Sequence, residues 1–190
     1  MKKNKIKITF TGNIITNIFQ KYIKVDNLNF ENIHTDFNQV LFILNKKIKT
    51  DVLILHITKD FFVDENFKIR LNIKNRFFDD LEKFLNVNKC MVILNTIDNL
   101  ISDNISTNYF RKKQQIDKIN HKLYLINKNY SNVYLLDVFK ILLENGMNKS
   151  ISKNNFFIMK MPYTFQVLSK LGEGYSELIR NYYFPRSKML

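Results

Sequence analysis

The six residues Val52-Leu53-Ile54-Leu55-His56-Ile57 form an apolar run interrupted only by one histidine. A strand with no polar alternation has no face to give to water, which marks a central parallel strand covered on both faces. Outward from it, apolar runs of similar length alternate with longer segments of helical period, the pattern of an α/β three-layer sandwich around a parallel sheet of about five strands. Lys7 to Thr11 reads as the first strand, with its alternation ending at Gly12. Ile14, Ile15, Ile18, Phe19 and Tyr22 make a helical stripe after it. Leu28 to Ile33 is a weaker second strand, and Asp36 stands as N-cap to a helix that turns Val40, Leu41, Ile43 and Leu44 inward.

Beyond the central run, a long helix is expected over about Asn66 to Leu85 and a fourth strand over Met91 to Leu94. A polar loop leads to a helix over about Phe110 to Asn127, carrying Ile116, Ile119, Leu123 and Ile126. Val133 to Leu136 is the fifth strand, and Val138 to Leu143 a short helix stopped at Gly146. Residues Asn148 to Met161 have no clean period and read as a long loop. Pro162 then opens a last helix from Tyr163 through Leu171 to Tyr182, bent at Gly172 and Gly174.

The chain has 190 residues, the size of one ordinary domain, and 45% of them are hydrophobic, which excludes disorder. No apolar run reaches the roughly 18 to 20 residues of a membrane-spanning helix, and the N-terminus has no signal-peptide core, so a cytoplasmic location is expected. The single Cys90 beside Met91 to Leu94 allows no internal disulfide and reads as core. The net charge of +13 raises nucleic-acid binding as a third reading. Its cations are mostly lysines scattered end to end, not the clustered stripe such binding needs, and Arg111, Lys112 and Lys113 read as a solvated helix turn.

Ligands of open parallel sheets bind beyond the carboxyl ends of the strands, so the polar residues just past each strand are the candidates. These are Thr11, Gly12, Asn13 and Thr16 after the first strand, then His56, Thr58, Lys59 and Asp60 after the third. Asn95, Thr96 and Asp98 follow the fourth, and Asp137 the fifth. Each has a plainer role open to it. Asn13 and Asp137 can cap helices, Thr11 can satisfy a turn, and His56 can be a hydrogen-bonded core residue or a pocket residue. His34 and His121 are isolated, and no histidine pair has metal-ligand spacing, so no metal and no cofactor is expected.

The stretch Ile8 to Thr16, ITFTGNIIT, resembles the first block of SGNH hydrolases, in which Gly-Asp-Ser follows the first strand. TDVLILHITKD, residues 50–60, is similar to the strand that leads into that family's Gly-x-Asn-Asp block. Over nearly its whole length the chain resembles the N-terminal SGNH-like domain of FkbH-type proteins, through FNQVLFILNKK before TDVLILHI, an asparagine-rich helix before VYLLDVFKILLENG, and KMPYTF near the end. That resemblance implies a flavodoxin-like sandwich, a neighbouring HAD-type phosphatase-like domain or other biosynthetic enzyme as partner, and work in glycan or polyketide assembly. It also implies where the chemistry should stand, and there the chain departs from it. The serine position is Ile14, the adjoining aspartate is Asn13, the oxyanion-hole asparagine falls on Lys59, and IMKMPY holds no histidine where the family has Asp-x-x-His. Gly12 and Asp60 are retained.

The reading that follows is an SGNH-like, non-hydrolytic domain of FkbH type in surface glycan or secondary-metabolite biosynthesis. It would bind a small-molecule, sugar or carrier-bound ligand through Gly12, Asn13, Thr16, His56, Lys59, Asp60 and Asn95. The alternative is a sugar O-acyltransferase or esterase that uses Thr16 or Thr11 with His56 in a rearranged site. The terminal FPRSKML would suit the start of another strand, as in a domain separated from a longer protein.

Overall fold

The computed structural model describes residues 5–64, 68–98 and 107–185. In chain order these form β1 (Ile6–Gly12), a short 3-10 helix (Asn17–Tyr22), β2 (Phe30–His34), α1 (Val40–Leu44), β3 (Val52–His56), α2 (Lys59–Phe62) and α3 (Leu71–Val87). Then come β4 (Met91–Asn95), α4 (Thr107–Asn129), β5 (Val133–Leu136), α5 (Val138–Asn145), α6 (Met147–Ser150), α7 (Lys153–Met159) and α8 (Phe165–Tyr183). The strands make one parallel sheet in the order β2-β1-β3-β4-β5, the flavodoxin-like order.

Side chains alternate between two cores because successive residues of a strand point to opposite faces. Leu53 and Leu55 of β3, with Val92 and Leu94 of β4, pack on one face against α1, α3 and α4. Val52, Ile54, Met91 and Ile93 pack on the other against the 3-10 helix, α5 and α8. The expected buried stripe of α4, Ile116, Ile119, Leu123 and Ile126, is buried in the first of these cores.

Local structure departs from the sequence reading at five places, each for an identifiable reason. The stripe after β1 folds as only six residues of 3-10 helix, because Asn13 is drawn across to Thr58 beyond β3. α1 starts at Val40 with Gln39 as N-cap, so Asp36 does not cap it; Asn38, at φ 61°, holds a conformation no helix can continue. A bridge between Val63 and Ile69 keeps the chain ahead of α3 out of the helix, which begins at Leu71; Asn66 lies outside the described residues. The stretch expected to be a loop over 148–161 contains α6 and α7. The Ser152 side chain caps α7, and Lys160 at φ 49° ends it, and helices this short show no period. Tyr163 pairs with Ile151 in a bridge, so α8 opens at Phe165 with Thr164 as N-cap. Residues 99–106 of the polar loop, residues 186–190 of the strand-like C-terminus, and the Arg111 and Lys112 side chains lie outside the described residues.

Asp137 caps α5 as expected, accepting the Lys140 N–H at 3.0 Å, and Gly146 follows that helix at φ 82°. α8 runs unbroken through Gly172 and Gly174, which serve as contact points. A Cβ on Gly172 would strike Tyr22, with its backbone carbon and oxygen only 2.8 Å away; one on Gly174 would meet the movable tip of Leu136 at 2.6 Å. Alanine is the better helix former by about 1 kcal/mol. Gly172→Ala should nevertheless destabilise the fold, by about 1–3 kcal/mol through overpacking against rigid backbone. Gly174→Ala should cost clearly less, a ranking that urea unfolding of the two variants measures.

Candidate functional site

The strand order reverses direction at β1 and β3, and their carboxyl ends therefore open a crevice. A cleft of about 300 Å³ lies there, at the small end of the range for ligand pockets. Asn13 enters it from the end of β1, and Asp60 and Phe61 from α2. Phe37 and Asn38 come from the connection before α1. Arg70 and Ile73 stand at the start of α3, Phe156 and Lys160 at the end of α7, and Leu41 on α1. Among the described residues the lining combines an apolar wall with two amides, one carboxylate and two cations. Asn38 and Lys160 hold positive φ angles there, a conformation that side-chain-bearing residues adopt only at a cost.

The seven residues singled out from sequence divide by depth. Asn13 and Asp60 line the cleft. Lys59 begins α2 and is half-buried, outside the cleft lining. Gly12, Thr16, His56 and Asn95 are buried behind it. Gly12 allows β1 to lie directly against the carbonyl of His56, which a Cβ would strike. Ile14, at the serine position, is 2% exposed and packed into the core beside Phe19.

Two asparagines fix the turn that leaves β3. Asn95 accepts the Ile57 N–H at 2.7 Å and donates to the Ile57 carbonyl at 2.8 Å, gripping one peptide from both sides. Asn13 accepts the Thr58 N–H at 2.8 Å and donates to the Thr58 hydroxyl at 2.8 Å. A side-chain amide has one donor and one acceptor side and is suited to replace a missing strand neighbour in this way. Asn120 of α4 grips Ile97 similarly, at 2.7 and 3.0 Å. Thr16, 3% exposed, has no hydrogen-bond partner for its hydroxyl oxygen within the protein.

His56 belongs to the core. Its Nδ1 lies 2.5 Å from the Tyr175 hydroxyl and its Nε2 3.3 Å from that of Tyr163, and the Tyr163 hydroxyl hydrogen-bonds to the buried Asp98. The chain of bonds has one consistent direction. Tyr163 donates to the Asp98 carboxyl, so its oxygen accepts from His56 Nε2–H, leaving Nδ1 to accept from Tyr175. Complete burial pushes the His56 imidazole down to about 3 and raises both tyrosines. Both ring nitrogens are engaged, and neither His56 nor Thr16 is among the cleft-lining residues. Burial also pushes the Cys90 thiol up to about 11, away from the thiolate a nucleophile needs.

Sequence reasoning located the crevice from the strand ends but missed Phe37, Asn38, Arg70, Phe156 and Lys160. They come from irregular or very short elements that no periodicity marks. The tyrosine partners of His56 lie 107 and 119 residues away, with nothing local to announce them.

The His56 value lies far below its ordinary 6.5, so between the two it is the unfolded chain that takes up the proton. Stability from this group is full above about pH 6.5 and is lost as the pH falls toward 3. Urea midpoints measured from neutral to acid pH should therefore fall more steeply for the native chain than for His56→Gln. Asn95→Ala, which strips the buried Ile57 peptide of both partners, should cost about 2–4 kcal/mol in the same assay.

Neither a family model nor a curated protein sequence matches the chain. Solved structures do match in fold. The N-terminal part of the protein BF1531 from Bacteroides fragilis, containing a phosphatase domain complexed with Mg, superposes with a TM-score of 0.80 at 18% identity, over 95% of this chain and 53% of that one. The chain thus spans about half of that neighbour's length. A member of the lipolytic protein G-D-S-L family from Veillonella parvula gives 0.55 at 13% identity, over 93% and 97% of the two chains. Est24, a carbohydrate acetylesterase from Sinorhizobium meliloti, gives 0.53 at 10% identity, over 94% and 100%. Among the described residues no helix is long and apolar enough to cross a membrane. The fold is that of the SGNH/GDSL hydrolase-like α/β proteins.

Proposed function

We propose that this chain is a non-hydrolytic SGNH-like domain that holds a small substrate, sugar or carrier-bound group for a companion phosphatase-type enzyme in glycan or secondary-metabolite assembly. The observation that carries the reading is Ile14. At the place where the resembling hydrolases have their serine, an aliphatic side chain is packed into the core. Among the described residues the cleft is lined by no serine, threonine, cysteine or histidine, so these residues assemble no pair of nucleophile and base for acyl transfer. The companion enzyme is suggested by the phosphatase domain of the BF1531 chain and by the FkbH-type resemblance of the sequence.

The rearranged esterase or acyltransferase is disfavoured on geometry. Thr16 is enclosed, and His56, the histidine the rearranged site would use, has both nitrogens engaged with tyrosine hydroxyls. Short acyl esters, and acyl-CoA with sugar acceptors, should be turned over no faster than in buffer. Ile14→Ser should restore no activity, because the described lining residues include no histidine to serve as its base, and should lower stability by about 2–5 kcal/mol through the cavity and the buried hydroxyl. Turnover above background that vanishes in Thr16→Ala would refute the proposal.

A further inference from the structure

We infer that the cleft selects a small organic anion, a phosphate ester or carboxylate carrying an apolar arm. The inference rests on the proposed binding role and adds the chemical class of the ligand. Its basis is the division of the lining into two unlike parts. Arg70 and Lys160 reach the same cleft from different elements, and among the described residues neither has a carboxylate within 4 Å. The Lys160 ammonium lies 5.6 Å from the ring centre of Phe156, a wall of the cleft. Against these two cations the described lining residues set one anion, Asp60, so together they carry a net positive charge in a space partly withdrawn from water.

The start of α3 adds to this field. Arg70 is its N-cap without any side-chain cap bond, and no acidic residue occupies the first turn, so the positive end of a 17-residue helix is left without internal compensation. Ile73, in that first turn, also lines the cleft. The other wall is carbon: Phe37, Phe61 and Phe156 offer ring surface, with Leu41 and Ile73 between them. An inorganic ion would leave that surface wet, and a purely apolar ligand would strand the cations. An anion with a flat or aliphatic arm satisfies both, with the charge toward Arg70 and Lys160.

The test is isothermal titration of the full chain with phenyl phosphate, phenylacetate and the neutral phenyl β-glucoside. At least one anion should bind, about tenfold or more tighter than the glucoside. An Arg70→Gln, Lys160→Gln double variant should lose about that factor. Both side chains are exposed, so the variant should keep its far-ultraviolet circular dichroism and unfolding midpoint. Phe156→Ala should weaken phenyl phosphate while leaving the weaker inorganic phosphate unchanged. If the glucoside binds as tightly as the anions, or the double variant binds them undiminished, the anion inference is overturned while the cleft remains a binding site. If none of the three binds, both the inference and the binding role fall.

Discussion

The constraint on which the molecule depends is that β3 has no side chain facing water. Val52, Leu53, Ile54, Leu55 and His56 are all 0–1% exposed, so the strand needs a neighbour on each edge and a helical layer on each face. β1 and β4 provide the edges, and the two cores provide the faces. Once β3 is central, the chain leaving it at Ile57 must emerge between the ends of β1 and β4. Its peptides there have lost their ladder partners while still buried. Asn13, from the end of β1, and Asn95, at the end of β4, supply the replacement bonds. These amides set the floor of the crevice before any ligand is considered.

The same constraint decides the fate of His56. An imidazole at the end of a strand buried on both faces must either remain neutral and hydrogen-bonded or destabilise the fold. Its neighbours Tyr163 and Tyr175 come from the C-terminal part of the chain, and Asp98 from beyond β4. Tyr163 lies in the KMPY segment, where the resembling hydrolases carry their catalytic histidine. Here Tyr163 completes a buried network, while Lys160 of the same segment lines the cleft. The residues at the positions that match the resembling hydrolases' first block have structural duties, with Ile14 filling core, Gly12 permitting close approach and Asn13 fixing a turn.

What remains open is built from later and less regular pieces. The connection before α1, the start of α3 and the end of α7 surround the crevice and give it two cations and a carbon wall. Asn38 and Lys160 take up strained backbone angles at its edge, so the shape of the cleft is held by conformations that unconstrained side-chain-bearing residues avoid. Among the described residues, its lining is a charged cluster beside a carbon wall.

The sequence by itself determined the sandwich. Apolar runs with a period of two or none, separated by stripes at helical spacing, permit one economical burial, and the five strands fell within two residues of their places. That no serine or histidine stands where the resembling hydrolases have theirs was legible as well, since a side chain's chemistry is written in its letter. Only the tertiary structure decided which candidates face the cleft and which are buried behind it. His56, equally readable as pocket or core from a local run, was assigned to the core by tyrosines more than a hundred residues away. Arg70, Phe156 and Lys160 were brought to the site from separate elements. Burial and convergence are properties of the packed chain, and no local pattern of letters encodes them.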